Sequence, residues 1–208
     1  MIGAVPPLQR RWLAVVGVGV PLSAWGSIYP PNTWLQVGPV ALIALAAIPA
    51  LRRWPLSNRA VGCASAFLLI HLFAAHWTYS DVPYDAWSRA VLPGGIDAAT
   101  GWTRNMFDRL VHFSFGLCLM TPLAEVMRRH GGDTRRRAVA EALLIVLAAS
   151  ALYEIFEWLL AVGMDPADAE AYNGQQGDAF DSSKDMAMAT LGATAWIAVA
   201  AAGRLRRR

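Results

Sequence analysis

Charged side chains are scarce in this chain: Asp, Glu, Lys and Arg make up only 16% of its 208 residues, whereas 56% of the residues are hydrophobic. So little charge excludes an ordinary soluble surface, and the composition predicts an integral membrane protein. Because a spanning helix needs about 20 mostly apolar residues, the chain has room for roughly six spans. A separate soluble enzyme domain is therefore excluded.

Cysteine is almost absent as well. Cys63 and Cys118 both lie in apolar segments and fit no metal-finger or disulfide spacing, so we interpret them as core residues. The chain also has no Gly-x-Ser-x-Gly motif and no Cys beside a base, which disfavours covalent acyl chemistry. No His-Glu-x-x-His motif and no Glu-x-x-His motif marks a metal site.

Six apolar segments predict an all-α fold, a single six-helix transmembrane domain that fills residues 1–208. Two long connections, about 80–107 and 163–184, contain aromatic residues, Gly and Asp, and we expect both to form ordered outer loops. Because Arg10 and Arg11 precede a short apolar run, a cleaved signal peptide is the alternative for the first segment. The spans are about 12–29, 33–51, 60–79, 110–127, 138–162 and 186–203.

The basic residues lie almost entirely on one side of this six-span arrangement. Lys and Arg near span ends collect in the cytoplasm, so both termini are predicted to be cytoplasmic. The net charge of +3 is then a topology signal and not a sign of nucleic-acid binding, and the lipid bilayer is the predicted partner. The basic residues predicted to lie outside are Arg89, Arg104, Arg109 and Lys184; the cytoplasmic set includes Arg128, Arg129, Arg135, Arg136, Arg137, Arg204, Arg206, Arg207 and Arg208.

Ionisable side chains within a bilayer are costly and mark functional sites. At 1.5 Å per residue, Glu154 and Glu157 lie roughly 24 to 29 Å above the inner end of their span, and His112 lies roughly 6 Å below the outer surface. Asp181 and Asp185 begin the last span at the same depth. Glu154 and Glu157 are three residues apart, and Asp181 and Asp185 are four residues apart, so the members of each pair share a helix face. This arrangement predicts a polar cavity that opens outward.

Clustered carboxylates repel each other and must be neutralised, which leaves three interpretations of the cavity. One is an ion-pair network with Arg104, Arg109 and Lys184. Another is a divalent metal, either Mg, Mn, Fe or Zn. The third is a proton relay in a small transporter. The candidate metal ligands are His112, Glu154, Glu157, Asp181 and Asp185.

The remaining histidines are assigned less directly. His71 lies alone on a mostly apolar face and is expected to be a core residue with a hydrogen-bond partner. His76 is followed by Thr, Tyr, Ser and Asp, so its imidazole is expected to face the cavity.

Three stretches, residues 104–113, 153–158 and 172–186, resemble the YjdF family of bacterial inner-membrane proteins, which as a family has no established activity. The arrangement is also similar, more distantly, to VanZ-like membrane proteins, whose pattern is matched by Asp108-x-x-x-His112-Phe113. Leu191 stands where those proteins have Asn before the closing Gly. The resemblance implies a shared fold, a shared polar site and an inner-membrane location, but it supplies no reaction.

The preferred hypothesis is a small metal-dependent membrane enzyme, a hydrolase or phosphotransferase that acts on lipid or lipid-linked phosphate head groups from the outer face. Asp108 and Glu154 are the candidate catalytic residues, with Asp108 as a general base or as a residue that orients His112. The alternatives are a non-catalytic binding or proton- or cation-coupled transport protein, and a structural partner protein. The candidate substrate-binding residues are Arg104, Arg109, Lys184, Asp178 and His76.

Overall fold

The computed structural model describes residues 4–205, and the side chains of residues 4–203. All regular secondary structure in this part of the chain is helical, which confirms the predicted all-α class. The helices are α1 (Pro7–Ala24), α2 (Pro30–Arg53), α3 (Asn58–His76), α4 (Tyr84–Ser88), α5 (Gly95–Thr100), α6 (Phe107–His130), α7 (Arg135–Gly163), α8 (Pro166–Asn173) and α9 (Asp181–Leu205).

Five of these helices, α2, α3, α6, α7 and α9, are long and apolar enough to cross a membrane. Their outward faces carry exposed large apolar side chains such as Leu45, Leu144 and Val199, as expected of surfaces that contact lipid. The 18-residue α1 is not among the five, because Gln9, Arg10 and Arg11 lie within it. The count of six spans therefore stays a prediction.

Most helices begin earlier than hydropathy indicates, because their first turns are polar. Ser57 and Thr134 accept hydrogen bonds from the backbone N–H groups of Ala60 and Arg137 and so cap the starts of α3 and α7. The last helix begins at Asp181, before the apolar segment that starts near residue 186, and an acidic first turn suits the positive end of the helix dipole.

The first helix ends before the predicted limit of its span. It stops at Ala24, and Gly26 then adopts a left-handed conformation that turns the chain. Of the basic residues assigned to the cytoplasm, Arg206, Arg207 and Arg208 lie outside the described residues, as does the side chain of Arg204.

The closest helix packing joins α6 to α9. A Cβ atom on Gly116 would overlap the carbonyl oxygen of Ala189, and one on Gly192 would overlap that of Phe113. Small residues let membrane helices approach until their backbones touch. This contact lies about one to three turns below the acidic starts of the two helices and holds those starts side by side.

The connections 77–106 and 164–180 pack against each other at the end of the bundle where α6 and α9 begin, which we call the site end. The backbone N–H of Asn105 donates to Gln176 Oε1 over 2.8 Å, and Ser80 Oγ donates to the carbonyl of Gly174 over 3.3 Å. Gly174 is in the left-handed region, and its lack of a side chain leaves room for Ser80. That this end faces outward stays a prediction.

Candidate functional site

Three side chains converge at the site end from two helices. Asp108 and His112 lie one turn apart on α6, and Asp185 lies in the second turn of α9. His112 Nε2 is 3.5 Å from Asp108 Oδ1 and 3.8 Å from Asp185 Oδ1. All three residues are buried, Asp185 with only 1% of its surface exposed. One ligand atom from each lies within 4.8 Å of the other two.

This geometry is compatible with a bound metal ion. Ligand atoms that each lie about 2.1 Å from a tetrahedral ion are about 3.4 Å apart, and the observed separations are slightly larger. Two carboxylates and one imidazole are a ligand set that suits Zn, Mn or Fe.

Glu154 lies on the opposite side of the His112 ring from the two aspartates. Its Oε1 is 3.9 Å from His112 Nδ1, whereas the aspartates face Nε2. Both carboxylate oxygens are buried, and the side chains of Ser182 and Glu157 lie beside them. If a metal were bound at Nε2, Glu154 would be the carboxylate that faces the remaining ring nitrogen, as is common for metal-binding histidines.

A second group of side chains forms an ion-pair network beside the histidine. Arg109 Nη2 and Arg104 Nη1 each lie 2.5 Å from Asp181 Oδ1, and both guanidinium groups are 3.4 Å from Asp178 Oδ2. Lys184 Nζ donates to Asp178 over 2.6 Å at the exposed rim. The ion-pair interpretation therefore describes this part of the cluster, and Asp181 belongs to it and not to the group around His112.

Arg109 connects the two groups. Its Nη1 contacts Asp185 Oδ1 and lies 3.8 Å from Asp108 Oδ2. The guanidinium is buried among four carboxylates, so it holds Asp108 and Asp185 near each other despite their like charges. It also competes with a metal ion for Asp185 Oδ1.

Carboxyl groups outnumber cationic side chains around His112. Two guanidinium groups, those of Arg104 and Arg109, accompany five carboxyl groups, which would carry an excess of negative charge if all were ionised, even with His112 protonated. Such an excess in a buried site requires protons or a cation. The five carboxyl groups are those of Asp108, Glu154, Glu157, Asp181 and Asp185.

Two titratable groups on the 164–180 connection lie at the rim of the cluster. The Lys184 ammonium and the backbone N–H of Phe180 both hydrogen-bond Asp178 and lower the pKa of its carboxyl group, which therefore stays ionised. Burial raises the pKa of Tyr172 to about 12, and the nearby Glu157 adds to this effect. Tyr172 is therefore a neutral hydroxyl at the edge of the site.

The remaining candidates lie outside this cluster. His76 Nδ1 is 3.0 Å from the carbonyl of Ser23 and its ring contacts Trp77, so its described contacts are with α1 and its own helix. His71 has partners on both ring nitrogens, the carbonyl of Gln36 at 3.0 Å and the Tyr79 hydroxyl at 2.5 Å. This is the satisfied environment expected for His71.

The structure adds residues that the sequence analysis did not select. Gln36, Ser150 and Tyr153 line a cavity of about 380 Å³ that also reaches His112. Ser150 lies one turn from Glu154 on the same face of α7, a spacing that could have identified it. The only feature of the sequence that could have identified Gln36 is its position as a polar residue within an apolar segment.

The fold and the site define an all-helical membrane protein that carries buried carboxylates and a histidine at one end of its bundle. A family model described as predicted membrane protein (DUF2238) matches residues 8–207, and the chain belongs to this family. It is 31% identical to the inner membrane protein YjdF of Escherichia coli strain K12 over 170 residues, which are 80% of this chain and 77% of that protein. The resemblance to the YjdF family is thereby confirmed. No solved structure matches the chain.

Proposed function

We propose that this protein is a metal-dependent inner-membrane enzyme that acts on phosphate head groups of lipids or lipid-linked molecules at the outer face. The observation that carries the proposal is the convergence of Asp108, His112 and Asp185, with three ligand atoms within 4.8 Å of one another. The VanZ-like pattern of Asp108-x-x-x-His112 supports the proposal but supplies no reaction.

The residues divide into distinct roles. Asp108, His112 and Asp185 would hold the metal, which when bound would polarise a phosphoryl oxygen and lower the pKa of a water molecule. Glu154 orients the His112 ring through Nδ1. This ligand set differs from the candidates named from the sequence, because Asp108 is now a ligand and Glu154 is a residue that positions His112.

The ion-pair network would receive the anionic head group. Arg104 and Arg109 share Asp181 and Asp178 between them, and Lys184 reaches Asp178 from the exposed rim. A phosphate is a bidentate partner for Arg, as a carboxylate is. A phosphate group can therefore replace Asp178 as the partner of these cations with the loss of few hydrogen bonds.

The packing beneath the site favours a pocket that is open on one side over a transport path. Met120, Ala142, Val146 and Ala193 form a buried apolar cluster on α6, α7 and α9. This cluster lies on the same three helices as the carboxylates and contains no polar group that could relay a proton or cation. The observation that favours a relay is Glu154, whose carboxylate is buried.

Metal content of the detergent-purified protein tests the proposal. We expect near-stoichiometric metal by elemental mass spectrometry after incubation with Mg, Mn, Fe and Zn in turn, and loss of that metal in His112→Ala and Asp185→Asn. His76→Ala is the matched control, because its imidazole contacts α1 and Trp77.

The metal-loaded protein is then assayed for release of phosphate or head group from phospholipids and polyprenyl phosphates. No metal in the folded parent would overturn the metalloenzyme. Metal without turnover on any phosphate-bearing lipid would reduce the proposal to a metal-binding membrane protein.

A further inference from the structure

An apolar cleft separates α2 from α6 and α7. Among the described residues, the backbone of α2 lies close to those of α1, α3 and α8 but not to those of α6 or α7. The resulting space has a volume of about 380 Å³ and is lined by side chains such as Phe67, Phe115 and Phe156. Leu35 and Ile43 are 44% and 51% exposed at its α2 edge, so the cleft opens sideways, toward the membrane.

The cleft leads to the metal-binding group. His112 and Tyr153 line its part near the site end together with Tyr79 and Tyr172, and the rings of His112 and Tyr153 contact each other with centroids 6.0 Å apart. From Leu35 to Ile43 the α2 lining extends about 12 Å along the helix axis at 1.5 Å per residue. A ligand in the cleft would therefore have one end at His112 and a longer apolar part below it.

Two buried polar side chains in the cleft have no partner. Both polar atoms of the Gln36 side-chain amide, and the hydroxyl of Ser150, are buried without a hydrogen bond, and each residue is only 3% exposed. Unpaired polar groups in an apolar interior are costly. Ser150 lies one turn, about 6 Å, below Glu154, and Gln36 lies above Pro39, Val40 and Ile43 on α2, so both groups lie within a short distance below the head-group site.

We propose that the cleft binds the ester-linked acyl region of a glycerophospholipid. This inference rests on the proposed function for the place of the phosphate, beside His112 and the arginines. In such a lipid the glycerol backbone puts ester oxygens a few bonds below the phosphate, where Gln36 Nε2 and the Ser150 hydroxyl can donate to them. One acyl chain then occupies the space between α2 and α7.

A polyprenyl phosphate fits these features less well. Its chain is hydrocarbon from the phosphate onward, so it would fill the apolar part of the cleft and leave the Gln36 amide and the Ser150 hydroxyl unpaired. A site that provides buried hydrogen-bonding groups discriminates against a ligand that lacks the matching groups. The substrate class is therefore diacylglycerol-based.

The test measures lipid binding to the full-length protein by native mass spectrometry in detergent. Phosphatidylglycerol and a polyprenyl phosphate are titrated against the parent, against a Gln36→Leu, Ser150→Ala double variant, and against Ser65→Ala. Ser65 is a buried serine of α3 that does not line the cleft, so its variant is the matched control.

We expect the double variant to bind phosphatidylglycerol about tenfold more weakly, as lost buried hydrogen bonds imply, and to bind the polyprenyl phosphate unchanged. The delipidated double variant should melt at a temperature no lower than the parent, because removing unpaired buried polar groups does not destabilise the empty protein. Equal binding of phosphatidylglycerol by parent and double variant, or tighter binding of polyprenyl phosphate by the parent, would overturn the inference.

The metal content of the parent protein, measured beside this titration, separates this inference from the proposed function. Gln36-dependent phosphatidylglycerol binding by a parent protein that takes up no metal would leave the cleft assignment standing and overturn the metalloenzyme. Bound metal without Gln36-dependent lipid binding would overturn the cleft assignment and leave the metal site standing.

Discussion

At the scale of single residues, the two nitrogens of His112 separate the roles of its neighbours. Nε2 faces Asp108 and Asp185, and Nδ1 faces Glu154. In metal sites the ring nitrogen that does not bind the metal commonly donates to a carboxylate. Glu154 is therefore an acid whose charge matters for the histidine and not one that must contact the ion.

This arrangement makes the Glu154→Gln variant informative. We expect it to weaken metal binding by about 10- to 100-fold, the usual effect of removing a carboxylate behind a metal-binding histidine. The thermal stability of the metal-free protein should change little, because the Gln amide has nearly the same shape and its oxygen can still accept from the His112 ring. Metal affinity is measured by competition with a chelating dye, and stability is measured by thermal unfolding.

Glu141→Gln is the control for this substitution, because Glu141 lies at the far end of the same helix and pairs with Arg137. A large loss of stability in Glu154→Gln with no change in metal binding would instead identify Glu154 as a structural ion-pair member.

The choice of partners within the cluster is the part that the sequence did not reveal. Spacing along each helix predicted which acids share a face, and Asp108, His112 and Asp185 do meet. It did not predict that Asp181 pairs with Arg104 and Arg109. That outcome depends on how α6 and α9 are rotated about their own axes, which hydropathy and spacing do not report.

At the scale of helices, the contact between α6 and α9 controls the distance from His112 to Asp185. Gly116 lies one turn below His112, and Ala189, whose carbonyl it touches, lies one turn below Asp185. Because the backbones are in direct contact, there is no flexible side chain that could make room for an added Cβ.

We therefore expect Gly116→Ala to destabilise the protein by about 1–3 kcal/mol, the usual cost of overpacking, and to abolish metal binding by moving α9 away from α6. The matched control is Gly17→Ala in α1, where an added Cβ meets nothing within 4 Å and should stabilise by about 0.5–1 kcal/mol. Denaturant unfolding and metal content give the two measurements. Wild-type metal binding in Gly116→Ala would show that the site does not depend on this contact.

The helices extend beyond the apolar segments from which the spans were predicted, because polar residues lengthen them. The central parts of α3, α6 and α7 coincide with apolar segments. Asp181 through Lys184 resemble a loop by composition, although they form helical turns at the site end. The cleft beside α2 could not be predicted at all, since it arises from a contact that α2 does not make.

At the scale of the whole molecule, the distribution of charge determines orientation. The end of the bundle opposite the site carries Arg52, Arg53, Arg128, Arg129 and Arg135, whereas the site end has few basic residues and many acids. Lys and Arg close to span ends resist translocation. The proposed head-group site should therefore face away from the cytoplasm.

Cysteine accessibility in intact cells tests this orientation. In a Cys63→Ser, Cys118→Ser background we expect Thr100→Cys, in the 77–106 connection, to react with a membrane-impermeant maleimide from outside. Gly132→Cys, between α6 and α7, should react only after the membrane is permeabilised. Both positions are exposed, so burial does not account for a difference between them. The reverse pattern would place Asp108, His112 and Asp185 at the cytoplasmic face, and labelling of both positions from outside would require the connection between α6 and α7 to lie on the same side as the site.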